Sequence, residues 1–164
     1  MRRSTAYPSG SKHGAPLMDP EGYAVLRREL LPLCFLVTPN LYETRALTGK
    51  EVGDLNGMRA AASEIADLGP RAVLIKGGHL TGEARDLLLY ESVFYEYPSE
   101  RIDTAHTHGT GCTYSAAITA CLARGLALPE AVGVAKRFIA EAIRTNPGFG
   151  GGNGPVNHFA ATGL

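Results

Sequence analysis

Two wholly apolar runs, Cys34-Phe35-Leu36-Val37 and Ala72-Val73-Leu74-Ile75, constrain the fold more than any other feature. A strand with water on one face alternates apolar and polar residues. A short run with no alternation fits a strand buried on both faces, as in a sheet covered by helices. Each run stops at a turn signal, Thr38-Pro39-Asn40 after the first and Lys76-Gly77-Gly78-His79 after the second. Between the runs, the pattern predicts a helix over 43–48 closed by Gly49 and another over 58–68 closed by Gly69-Pro70. A further helix precedes the first run. Asp19 suits its N-cap, Pro20 its first position and Glu21 the positive end of its dipole. Leu26, Leu30 and Leu31 give it an apolar stripe, and Pro32 ends it. Residues 87–90 and 93–97 read as a strand pair, with Val93, Tyr95 and Tyr97 on one face. Helices follow over about 110–124 and 129–144. This order predicts an α/β fold with a largely parallel sheet.

The chain has 164 residues, which argues for one domain. Residues 1–18, with Pro8, Gly10, Gly14 and Pro16 and no periodicity, are expected to be loop or disordered. The stretch 147–155 is too rich in glycine to be regular. Lys plus Arg and Asp plus Glu number 16 each, so the formal net charge is zero. No field of that kind attracts nucleic acid or an anionic membrane. A bound anion must instead be held by local backbone geometry. Of three cysteines, Cys34, Cys112 and Cys121, no two have metal-site or C-x-x-C spacing. Their odd number predicts reduced thiols and a cytoplasmic location. No apolar run reaches the roughly 18 residues of a membrane span. The basic start lacks the apolar stretch of a secretory signal.

Chemistry concentrates at three turns. In Thr107-His108-Gly109-Thr110-Gly111-Cys112, the glycines let the backbone approach a ligand and take positive φ, and the following helix start offers free N–H groups to an anion. Thr110 can add a hydroxyl. A tight turn that binds nothing is the alternative, against which stands the clustering of Thr107, His108, Thr110 and Cys112. Thiolate is favoured near a helix N-terminus, which suits Cys112 to a role as base or nucleophile. A small, half-buried residue closing the turn is the simpler reading. Cys34 and Cys121 are expected in the core. At the second turn, Asn40 and Glu43 suit a hydrated Mg²⁺ at a strand's carboxyl end. Their spacing also makes a helix N-cap with a capping-box Glu, the simpler reading. At the third, Gly77 and Gly78 leave room for a nucleotide and Lys76 for a phosphate partner, or else the lysine is merely solvated. Lys136 and Arg137 read by default as a solvated helix face, and Asn157-His158 as an exposed terminus.

Taken together and in order, Thr38-Pro39-Asn40-Leu41-Tyr42-Glu43, Val73-Leu74-Ile75-Lys76-Gly77-Gly78-His79, Arg101-Ile102-Asp103-Thr104 with Thr107-His108-Gly109-Thr110-Gly111-Cys112, and Gly152-Asn153-Gly154-Pro155-Val156-Asn157-His158 resemble one family. It is the hydroxymethylpyrimidine/phosphomethylpyrimidine kinases of thiamine biosynthesis, within the ribokinase-like superfamily. The resemblance covers about residues 11–159. It implies a ribokinase-like three-layer α/β sandwich, with ATP and Mg²⁺ as cofactors. The implied reaction phosphorylates a pyrimidine hydroxymethyl group and then its monophosphate. By position it makes the turn with Gly109, Thr110 and Gly111 an anion hole for the transferring phosphoryl group. Cys112 stands where most of the superfamily has an Asp base, as in the pyrimidine kinase branch and some pyridoxal kinases. Lys76, Gly77, Gly78, Thr107, His108 and Lys136 fall in the nucleotide set, and Asn40 and Glu43 match an N-x-x-E pattern tied to Mg²⁺. The family also has a longer N-terminal part, carrying most pyrimidine-binding residues. Ser11-Lys12-His13-Gly14 matches the end of a mid-sheet loop, so residues 19–159 are expected to form the nucleotide-side half, with 160–164 as a tail. An uncovered sheet edge would favour a homo-oligomer such as a dimer. A non-catalytic remnant and a pyridoxal kinase are the alternative readings.

Overall fold

The computed structural model describes residues 4–5, 19–78 and 84–161. The chain forms two compact units, Met1–Pro98 and Ser99–Leu164, where the sequence suggests one.

In the first unit a five-stranded sheet runs in the order β1 (Ser4–Thr5), β2 (Leu36–Val37), β3 (Ala72–Ile75), β4 (Ala84–Tyr90), β5 (Val93–Ser99). Ser4 and Thr5, inside the expected N-terminal loop, pair parallel with Leu36 and Val37. The apolar runs are adjacent and parallel, β2 to β3. The strand pattern extends past both: Asn40 bridges Lys76, and the Lys76 N–H donates to Pro39 O at 2.9 Å. Every residue of β3 is at most 1% exposed, as a wholly apolar strand requires. The sheet is mixed rather than largely parallel, because β4 pairs antiparallel with β3. Too few residues join these strands for a parallel crossover, which needs a dozen or more. Glu91 and Ser92, at φ 50° and 63°, then turn the chain into β5. Two consecutive positive φ values give the tight hairpin whose twist matches its strands.

Two of the helices begin at polar caps that the sequence marks. In α1 (Pro20–Val25), Asp19 accepts the Gly22 N–H at 2.7 Å. The helix then widens over Leu26–Leu30 and tightens over Leu31–Leu33, where Pro32 stops it. In α2 (Leu41–Thr48), Gly49 closes the C-terminus at φ 74°. In α3 (Leu55–Ala66), Asp54 accepts the Gly57 N–H, so the helix starts a turn before the apolar pattern does. Its buried face is Met58, Ala61, Ala62 and Ile65, the i, i+3, i+4, i+7 stripe of a half-buried helix. It packs with Val37, Val73, Ile75 and Leu87 into this unit's core. Gly69 cannot be otherwise: a Cβ there would stand 2.7 Å from Pro32 Cα, and φ is +111°. On β5, Phe94 joins that core while Val93 is half exposed.

The second unit holds α4 (Thr110–Ala123) and α5 (Leu128–Arg144), packed on each other. Tyr114, Ser115, Ile118 and Cys121 form the buried stripe of α4. Ala131, Val132, Ala135, Ile139 and Ala142 form that of α5. Residues 147–155 carry no helix or strand, as their glycines predict.

Candidate functional site

The glycine turn opens α4. Gly109 is its N-cap at φ +81°, and no side chain caps the helix. That conformation costs a residue with a Cβ roughly 1–2 kcal/mol. The Thr113 N–H closes the first turn on Gly109 O at 2.9 Å. Thr107 O accepts both the Thr110 N–H at 3.4 Å and the Thr110 hydroxyl at 2.7 Å. Thr110 therefore stiffens the turn with its own proton. Among the described residues, the N–H groups of Gly111 and Cys112 have no acceptor. A helix start leaves such donors for water or a ligand, and the dipole adds attraction for negative charge. No acidic residue lies in this first turn. Cys112, its third residue, is exposed, whereas Cys34 and Cys121 are buried and free of disulfides. Lys136 lies on α5, partly exposed.

Behind the turn runs a strap from the chain's last described segment. The His108 N–H donates to Gly154 O at 3.0 Å, and the Val156 N–H donates to His108 O at 3.3 Å. This makes a parallel bridge between His108 and Pro155. His158, exposed as the sequence suggests, shares a 3.0 Å hydrogen bond with the Thr113 hydroxyl. Asn157 is less free. Its N–H donates to Ala142 O at 2.9 Å and its amide to the Thr145 hydroxyl at 3.0 Å.

The other two turns lie side by side in the first unit, at the carboxyl ends of β2 and β3. The capping box forms in full: Asn40 Oδ1 accepts the Glu43 N–H at 2.9 Å, and Glu43 Oε2 accepts the Asn40 N–H at 2.7 Å. Glu43 is 4% exposed. Among the described residues no three His, Cys, Asp or Glu side chains group as a metal cage. One carboxylate and one amide fit Mg²⁺ only as an ion that keeps its waters and takes other ligands from phosphates. At the β3 end, Lys76 is half-buried, Gly77 is buried and Gly78 is exposed. A Cβ on Gly77 would collide with Arg85 O and stand 3.1 Å from Met58 Cε. The Gly77 N–H donates to Asp86 Oδ1 at 3.0 Å, and Asp86 is 3% exposed. Asp86 carries no sequence signal, since it reads as one polar residue in a strand. His79 and the Ser11–Gly14 match lie outside the described residues.

The structure matches a Staphylococcus aureus pyridoxal kinase in complex with AMP-PCP and pyridoxal at a TM-score of 0.84 and 36% identity, over 89% of this chain and 55% of that one. It matches a Clostridium difficile phosphomethylpyrimidine kinase at 0.70 and 42%, over 82% and 54%. The fold is ribokinase-like. Residues 9–157 match the model of the phosphomethylpyrimidine kinase family, and the chain belongs to that family. A Streptomyces coelicolor hydroxymethylpyrimidine/phosphomethylpyrimidine kinase is 44% identical over 153 residues, 93% of this chain and 57% of that protein. The chain spans about half the length of the curated kinases it matches.

Proposed function

We propose that this chain serves ATP-dependent phosphorylation of hydroxymethylpyrimidine and then of its monophosphate, in thiamine biosynthesis. The observation that carries the reading is the start of α4: two N–H groups with no acceptor among the described residues, a left-handed Gly109 and an exposed thiol at the third residue. In the proposed reaction Cys112 takes the proton of the substrate hydroxyl. The freed oxygen attacks the terminal phosphorus of ATP, and ADP leaves. The N–H groups of Gly111 and Cys112, with Gly109 and Thr110 shaping the turn, face the charge on the transferring group. Such transfer depends mostly on positioning and charge stabilisation. Thr107, His108, Lys76, Gly77, Gly78 and Lys136 are the proposed nucleotide contacts. Asn40 and Glu43 would meet a hydrated Mg²⁺, which when bound neutralises phosphate charge. Free thiols throughout support a cytoplasmic protein. Among the described residues, no helix is long and apolar enough to cross a membrane. A homo-oligomer is proposed from the sheet order, which leaves β1 and β5 at the edges.

One observation favours another acceptor: the pyridoxal kinase likeness supports pyridoxal. A protein that binds nucleotide without transfer is the third reading. A coupled ADP-release assay with hydroxymethylpyrimidine or pyridoxal separates all three. Turnover with the pyrimidine is expected. Turnover with pyridoxal alone, or AMP-PCP binding without any turnover, would sink the main reading in favour of one rival.

A further inference from the structure

The His108–Gly109 turn is held by a chain of hydrogen bonds that begins at Asn146, just past the end of α5. Asn146 donates through its amide to Ile143 O at 2.9 Å and to the Thr104 hydroxyl at 3.4 Å. The same hydroxyl oxygen accepts the His106 N–H at 3.1 Å. His106 Nδ1 then accepts the Gly154 N–H at 3.1 Å. Gly154 O accepts the N–H of His108, the residue next to the left-handed Gly109. Because a backbone N–H donates to Nδ1, the ring proton sits on Nε2. Gly154 is buried, and a Cβ on it would collide with His106 Nδ1 and stand 2.6 Å from Phe149 O. The histidine and the glycine fit each other at a separation of 48 residues in sequence.

We propose that His106 is a positioning residue: through Gly154 it fixes His108, and so aims the open N–H groups at the start of α4. The proposal rests on the reading of that turn as the phosphate site. His106 touches no phosphate in this role. It acts on the strap, and the strap acts on the turn. Deleting the imidazole leaves the buried Gly154 N–H without its acceptor, and a buried donor so orphaned drives local rearrangement. The strap then loosens and the backbone bonds of His108 open more often.

The test uses the full chain with His106→Ala, His106→Asn and His106→Gln. Asn places its Oδ1 one bond from Cγ, where Nδ1 stands, whereas Gln carries its polar atoms one carbon further out. Amide hydrogen exchange at Gly154 and His108 is the first readout and AMP-PCP affinity by calorimetry the second, with circular dichroism to confirm folding. His106→Ala and His106→Gln are expected to speed both amides and weaken AMP-PCP by about tenfold each, with His106→Asn within about twofold of the unaltered chain. Equal behaviour of Asn and Gln, or unchanged His108 exchange in His106→Ala, overturns the proposal. Gly154→Ala attacks the same contact from the other side and is expected to reproduce the exchange effect. Should the unaltered chain bind no AMP-PCP, the phosphate-site reading fails, and the exchange data alone decide whether His106 holds the turn.

Discussion

Cys112 combines two properties that the other cysteines lack: it is exposed, and it belongs to the first turn of α4. If it is the base for the acceptor hydroxyl, Cys112→Ala removes proton transfer and leaves the backbone donors in place. Turnover should fall by about 10²–10⁴-fold, the usual share of a general base, while AMP-PCP affinity changes by less than about threefold. Steady-state kinetics beside calorimetry check this, and unchanged turnover takes Cys112 out of the mechanism. Asp86 is a residue of another kind. It is buried, and Gly77 N–H donates to its carboxylate. Asp86→Ala orphans that buried N–H and should cost roughly 1–3 kcal/mol of stability. Urea titration measures the loss, and a change below the error of the titration contradicts the assignment.

Among the elements, β5 has titrating groups on both faces. Glu96 is bound by Arg59 and Arg85, each at 2.7 Å. The hydrogen bonds from Arg59 and then Arg85 hold its carboxyl below the ordinary 4.5. A carboxyl whose folded value is depressed stabilises the fold above its ordinary value, and this support is lost as pH falls through the folded value. Burial, and to a lesser degree Tyr95, pushes the Tyr97 phenol up from 10.0 to about 12. A raised acid stabilises the fold below its ordinary value, and that support is lost as pH rises from about 10 to 12. Glu96→Gln should therefore flatten only the acid limb of a thermal-stability pH profile, and Tyr97→Phe only the alkaline limb. Identical profiles for the three proteins would exclude both assignments. The sequence shows elements better than it shows their partners. Asp19 and Gly49 sit at helix ends because caps are local, and Asn40 with Glu43 is readable as a capping box from three-residue spacing alone. Asp54 is not readable in this way, because the apolar pattern of its helix begins only at Met58. The antiparallel seat of β4 is not readable so, because register is decided across strands. Nor is the pairing of Gly77 with Asp86, or of His106 with Gly154, since each is a meeting of residues nine and 48 positions apart.

At the scale of the whole molecule, the balance of 16 basic and 16 acidic residues leaves no net field to gather a nucleotide. Charged ligands reach strongly complementary proteins at rates that collapse with salt, because steering acts over a Debye length of about 10 Å at 0.1 M. In the proposed site the attraction comes instead from fixed N–H dipoles at one helix start, which act within the first turn. Steering should then be weak, and affinity should reside in the dissociation rate. Stopped-flow binding of a fluorescent ATP analogue is expected to show an association rate that changes less than about threefold over a tenfold rise in ionic strength. A rate that falls tenfold or more would mean that lysine charge steers the nucleotide in, and Lys76→Met should then by itself remove most of the salt dependence. If the turn alone holds the phosphate, Lys76→Met should leave the association rate nearly unchanged and raise only the rate of release.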